Sequence, residues 1–103
     1  LAPLRDEGVL VVGSGNIVHN LRLWRQNQSE PYDWAQRFDE DIADRIAEGH
    51  HEGMLGYETL GPDALLAIPT PEHYLPLLYI LALQREDDAV EFFNDSVSSS
   101  ISM

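Results

Sequence analysis

Three rhythms of apolar and polar positions run along this chain, and each points to a different element. Gly8 to Val12 reads GVLVV, a short, wholly apolar run rich in β-branched residues. Such a run predicts a strand buried on both faces, as in a parallel sheet. It breaks into Gly13-Ser14-Gly15-Asn16, which is turn chemistry. Ile17 to Trp24, with His19 and Asn20 inside it, reads as a loop or short helical turn, and Gln26 to Pro31 as a polar linker. From Asp33 the period changes to four. Trp34, Phe38, Ile42 and Ile46 form an apolar stripe, with Asp39, Glu40, Asp44 and Arg45 off it. This predicts an amphipathic helix of about 15 residues ending at Gly49. Asp33 is the expected N-cap, with Gln36 closing a capping box.

His50 to Gly61 is polar and punctuated by glycine, with room for one short helix around Leu55 to Leu60. Asp63 to Ile68 contains ALLAI, read as a second buried strand. Pro69-Thr70-Pro71 ends it, and Thr70 can cap a helix with Pro71 at its first position. Leu75, Leu78, Tyr79 and Ala82 mark the apolar side of that helix. Pro76 requires an early kink or a true start near Pro76. Val90 to Phe93 is a third strand candidate. Val97, Ser99, Ile101 and Met103 alternate with serines, which predicts a fourth strand with one wet face. The order strand, helix, strand, helix, strand predicts an α/β fold, a mostly parallel sheet flanked by helices with right-handed crossovers.

Composition narrows the partners. The 103 residues carry 18 acidic side chains against 6 arginines, no lysine and a net charge of -12. Nucleic acids and anionic membrane surfaces both need cations to meet their phosphates, so neither is an expected partner. The longest apolar stretch, Leu75 to Leu83, is far short of the roughly 20 residues that span a bilayer. No cysteine is present, so thiolate metal sites and disulfides are excluded and a reducing, cytoplasmic setting is expected. The chain opens on Leu1 rather than Met, and is expected to be one piece, residues 1–103, of a larger domain.

In open α/β sheets the ligand crevice lies beyond the carboxyl ends of the strands. His19 comes seven residues after Val12 and His73 five residues after Ile68. Both can therefore converge at one sheet edge. Histidine is the commonest metal ligand and the side chain suited to proton transfer near neutral pH. The plainer alternative makes His19 a surface loop residue and His73 an ordinary first-turn residue. Gly13-Ser14-Gly15 follows a predicted strand, as a dinucleotide fingerprint would, but Val18 stands where its third glycine belongs. The glycines are better read as letting the backbone turn tightly beneath a site. His50-His51-Glu52 reads as a solvated helix end, because adjacent histidines diverge. Glu72 beside His73 could also reach a metal. Trp24, Trp34, Tyr57 and Tyr74 could line an aromatic pocket, although such rings are more often core.

Gly8 to Leu21, GVLVVGSGNIVHNL, and Pro69 to Leu77, PTPEHYLPL, resemble two signature blocks of the class III extradiol ring-cleavage dioxygenases. The group they are most similar to is the 4,5-DOPA extradiol dioxygenase-like family. Tyr32-Asp33-Trp34-Ala35 and Leu66-Ala67-Ile68 also fit. The resemblance covers nearly the whole chain and maps to the C-terminal part of that family's domain. It implies an α/β fold with a non-haem metal, iron(II) or zinc, and a small catechol substrate cleaved with O2. His73 matches a metal-ligating histidine. His19 matches an active-site histidine with an acid/base role, close enough also to ligate, and Glu72 is the fallback ligand. The alternative is a non-catalytic α/β binding or structural module that has lost the metal site.

Overall fold

The four-residue stripe forms the longest helix of the computed structural model, which describes residues 1–25 and 30–102. The elements are α1 (Ala2–Asp6), α2 (Asp33–Glu48), α3 (Glu52–Leu55), a 3-10 turn (Tyr57–Leu60), α4 (Pro62–Ala67), α5 (Leu75–Ala82), β1 (Val97–Ser98) and β2 (Ile101–Ser102). Part of the expected linker, 26–29, lies outside the described residues, as does Met103.

Helix α2 is the spine of the core. Ala35, Phe38, Ile42 and Ile46 are buried along one face, against Val18, Met54, Ala64, Ala67, Ile68, Tyr74 and Leu81. Gly49 ends the helix in the left-handed region at φ 74°, as a C-terminal glycine should. The start differs from the expected cap. Tyr32 is the N-cap, Asp33 is the first helical residue, and the Gln36 amide donates to Glu40 at 2.7 Å instead of reaching back.

The ALLAI segment is helix α4, not a strand. Pro62 occupies the first turn, where its missing N–H costs nothing, and Asp63 adds a favourable charge there. Ala64 and Ala67, three apart, pack inward while Leu65 and Leu66 face out. A five-residue apolar run fits a helix as readily as a strand, and here the helix-start residues decide. Arg37 grips Asp63 with two hydrogen bonds of 2.8 and 2.9 Å, tying α4 to α2. Helix α5 begins at Leu75 with Pro76 in its first turn, so the helix starts there without a kink. Its inward residues are Leu77, Leu78 and Leu81; Leu75, Tyr79 and Ala82 are exposed.

Two expected strands do not form among the described residues. Val9 to Val12 and Val90 to Phe93 have no ladder, and Leu10 is 85% and Phe93 78% exposed. A strand exists only by pairing, and neither segment meets a partner here. The serine-rich end makes an antiparallel hairpin, with Val97 opposite Ser102 and Ser98 opposite Ile101. It is the one sheet among the described residues, so a mostly parallel sheet is not formed within them. The expected wet face is only partly wet: Ser98 is exposed, but Ser100 and Ser102 are buried, as is Ser99.

Candidate active site

The hairpin and the end of α4 hold one loop, Asn16 to Asn20, between them. The His19 N–H donates to the Ala67 carbonyl at 2.9 Å, and Ile101 bridges His19 on the other side. Asn20 donates from its backbone to Ser100 and from its side chain to Leu66, at 3.0 and 2.8 Å. The Ser100 hydroxyl donates back to the Asn20 carbonyl. The Ser102 N–H donates to the Val18 carbonyl at 3.0 Å, and the Val18 N–H donates to the Ser102 hydroxyl at 2.9 Å. Serine hydroxyls thus take the place of water for a buried loop, which is why they point inward.

Opposite this loop, Pro69 to Tyr74 turns into α5, with Tyr74 and Leu75 both donating to the Pro71 carbonyl at 2.9 Å. This turn carries His73. The Asn16 N–H donates to the His73 carbonyl at 2.9 Å. The approach is so close that a Cβ on Gly15 would sit 2.1 Å from that carbonyl oxygen, and one on Gly13 would meet Ile80 and the Pro76 carbonyl. The glycines therefore serve close packing of the loop on α5. No helix follows them, so the dinucleotide fingerprint lacks its phosphate-binding half.

His19 and His73 come together, with ring centroids 5.0 Å apart and planes inclined at 45°. His19 is only 7% exposed, while His73 is exposed. Nε2 of His19 lies 2.7 Å from the Thr70 carbonyl and Nδ1 3.2 Å from the Asn16 carbonyl. Glu72 sits beside both rings. The Thr70 hydroxyl donates to its carboxylate and, with smaller help from the two histidines, holds its pKa below the usual carboxylate range. Thr70, expected only as a cap, thus orients His19 through its carbonyl and Glu72 through its hydroxyl. A backbone carbonyl leaves no mark in residue identity, so no sequence signal revealed the first role.

A recess of about 250 Å³ adjoins His73, lined by Gly13, Gly15, Asn16, Ile17 and Pro76 among others. Larger grooves lie toward Arg5, Leu10 and Phe92 and include neither His19 nor His73. Of the aromatic candidates, Tyr74 is fully buried and donates its hydroxyl to Met54 at 3.0 Å, and Trp34 stacks on Tyr32. Neither lines the recess. His50 pairs with Glu48 at 3.2 Å on the surface, as a solvated helix end should, whereas Nε2 of His51 is buried with no hydrogen-bond partner, so the solvated reading does not hold for His51.

A family model described as the catalytic LigB subunit of aromatic ring-opening dioxygenase matches residues 1–102. The chain belongs to the LigB family of aromatic ring-opening dioxygenases. Within it, the chain is similar to the 4,5-DOPA dioxygenase extradiol of Escherichia coli K12, at 44% identity over 94 residues, covering 79% of this chain and 31% of the relative. A Beta vulgaris protein of the same name is 35% identical over 101 residues, covering 98% of this chain and 38% of the relative. The crystal structure of an uncharacterized Escherichia coli K12 protein superposes with a TM-score of 0.91 at 36% identity, covering all of this chain and 44% of that one. The chain thus spans about a third of the length of the curated relatives it matches. The LigB chain has no described helix long and apolar enough to cross a membrane. Among the described residues no three histidine, aspartate or glutamate side chains are gathered to hold a metal.

Proposed function

We propose that this LigB chain is the C-terminal part of an extradiol dioxygenase that opens a DOPA-like catechol with O2 at a non-haem iron(II) or zinc ion. In the whole protein the extended Val9–Val12 and Val90–Phe93 segments would join a larger, mostly parallel sheet. The observation that carries the reading is the convergence of His19 and His73 from two distant segments. The relatives' names supply the substrate class.

The residues present fit part of a metal sphere. His73, with the His19 ring 5.0 Å away, would supply the imidazole side of such a site. His73 is exposed and held on a rigid turn, which suits a ligand. His19 is less suited, because both ring nitrogens face carbonyl oxygens. With three ligand groups not gathered here, the remaining donors would come from the rest of the whole protein. When bound, such an ion polarises the catechol oxygens and, as iron, supplies the electron transfer to O2.

The contacts of His19 fit a proton carrier. A neutral imidazole has one N–H and satisfies only one of its two carbonyls, the nearer being Thr70. That leaves Nδ1 with the lone pair. Its contact with Asn16 becomes a hydrogen bond only when Nδ1 gains a proton. For the ring to take a proton from a substrate hydroxyl, the longer contact at Nδ1, to Asn16, would first have to open. The imidazole can return the proton as the catechol ring opens.

The test uses the full-length protein. His73→Ala should lower both metal content and oxygen uptake with DOPA. His19→Ala should slow turnover by about 10²–10⁴-fold with metal content near normal. Unchanged metal content in the His73 variant would move the ligand role to Glu72. No oxygen uptake by the metal-loaded wild type with any catechol would defeat the dioxygenase reading.

A further inference from the structure

Asn16 stands where the two histidine segments meet, and it touches both. Its N–H donates to the His73 carbonyl at 2.9 Å. Its own carbonyl faces Nδ1 of His19 at 3.2 Å. Its side-chain amide donates to the carbonyl of Ser102, 86 positions away on β2. The turn before α5, the histidine loop and the terminal hairpin are thus joined at one residue.

The glycines before it show why an anchor is needed. A Cβ on Gly15 would collide with the His73 carbonyl, and one on Gly13 with Ile80 and the Pro76 carbonyl. Glycine permits that close approach, but it also leaves the backbone with the most freedom to lose on ordering. Two glycines in three residues would let the loop drift off α5 unless directional contacts held its end. The two backbone contacts of Asn16 could be made by any residue except proline at the N–H. What asparagine adds is the third, the amide donor to Ser102. An alanine, or a leucine of much the same branched shape, keeps the backbone groups and loses that donor.

We propose that Asn16 is a positioning residue that sets His19 against His73. The anchored side chain fixes the Asn16 backbone. Its N–H then holds the turn that carries His73, and its carbonyl sits against the His19 ring, so the 5.0 Å between the two rings depends on it. This rests on the reading of His19 as proton carrier and His73 as metal ligand. The Asn16 amide is engaged by Ser102, so the residue acts through the histidines rather than on the substrate.

The experiment uses the full-length protein with DOPA as substrate. Asn16→Ala should lower kcat per bound metal ion by about tenfold or more, the cost of a small misplacement of a catalytic group. KM should stay within about twofold. Asn16→Leu, which fills the same space, should do the same and serves if the alanine variant folds poorly. In the His19→Ala background Asn16→Ala should have a much smaller effect, because both changes act through one ring. Long-range 1H–15N spectra of histidine-labelled, zinc-loaded samples should show the ring resonances of His19 and His73 shifted or broadened by either substitution. Those of His50, paired with Glu48 on the surface, should stay in place. Unchanged kcat with unchanged His19 and His73 resonances would overturn the proposal. So would a rise in KM at constant kcat, which would put Asn16 on the substrate, or an Asn16→Ala effect of full size in the His19→Ala background. Full turnover in His19→Ala would defeat the proton-carrier reading instead, and the ring spectra would still decide whether Asn16 sets the two histidines.

Discussion

Two neighbouring stretches of the segment between α1 and α2 are treated in opposite ways. From Asn16 to Asn20 the backbone is pinned on both sides, by Ala67 and His73 in one direction and by the serine hairpin in the other. From Leu10 to Val12 the backbone makes no main-chain hydrogen bond to any other described residue, and Leu10 and Val12 are 85% and 78% exposed. The stretch that carries His19 is the pinned one, and the apolar stretch is bare. Apolar residues order a segment only where something covers them. In the His19 loop, hydrogen bonds that replace water act together with the burial of Val18 in the core.

Gly15→Ala should break the pinned side most severely. The added methyl meets the His73 carbonyl oxygen, a backbone atom that cannot swing away. The loop must lift, losing the Asn16–His73 hydrogen bond and separating the two histidines. Denaturant unfolding of the full-length protein should show a loss of about 1–3 kcal/mol, the usual cost of overpacking. Oxygen uptake should fall at least as far as in His19→Ala. Gly8→Ala is the control. Gly8 has φ +80° but open space around it, so only backbone strain is added and activity should be retained.

The bare side gives the next largest effect. Leu10, Val12 and Phe93 expose large apolar surfaces, and the extended segments that carry them are unpaired edges. The 103-residue chain made alone should self-associate. Changing all three to serine should shift sedimentation toward monomer and reduce binding of a hydrophobic dye. A monodisperse wild-type chain melting cooperatively above about 65 °C would show that this face needs no cover.

The same contrast explains what could be read from sequence. Helix α2 was legible because Phe38, Ile42 and Ile46 repeat at the helical period and Gly49 stops them. His19 and His73 were legible as a pair because each follows a short apolar segment, even though neither segment is a strand here. The two rings meet although neither preceding segment forms a strand among the described residues. In Asp63 to Ile68 a helix-starting Gly61-Pro62-Asp63 outweighed an apolar run. In Val9 to Val12 the pattern was strand-like but pairing depends on partners outside the segment. The serines were misread because alternation marks a face without saying whether water or a loop's own amides lie against it. Thr70 and Asn16 act through carbonyls, which every residue has, and so were invisible.

Asp39 sharpens the comparison through pH, since it lies behind the pinned side. Its pKa of about 6 in the fold exceeds the ordinary value near 3.8, so the native state binds more protons between those limits. Stability from this group is therefore greatest at the acid end of that window and falls as pH rises through about 6. Asp39→Asn should remove that slope. Urea midpoints of the full-length protein at pH 4.5 and pH 7 check it. The wild type should lose more stability over this rise than the variant, and equal changes would show that Asp39 is not strained by its burial.

The smallest effect belongs to the Arg37–Asp63 pair, which joins α2 to α4 beneath the pinned loop. The Arg37 side chain is 61% exposed, so its two hydrogen bonds compete with water and salt. Exposed pairs contribute little to stability, and the two-pronged geometry places this one among the stronger of them. The Arg37 hydrogen bonds lower the Asp63 pKa, so the contribution is present above the ordinary carboxylate range and lost as pH falls through the lowered value. Arg37→Ala should thus cost little at pH 7, less in high salt and nothing in strong acid. It should leave kcat unchanged, because Ala67 holds His19 through its backbone carbonyl and α4 keeps Ala64 and Ala67 buried against α2. A fall in kcat without a matching loss of stability would show that the placement of α4 depends on this surface pair, and that the pinned side is less self-sufficient than its hydrogen bonds indicate.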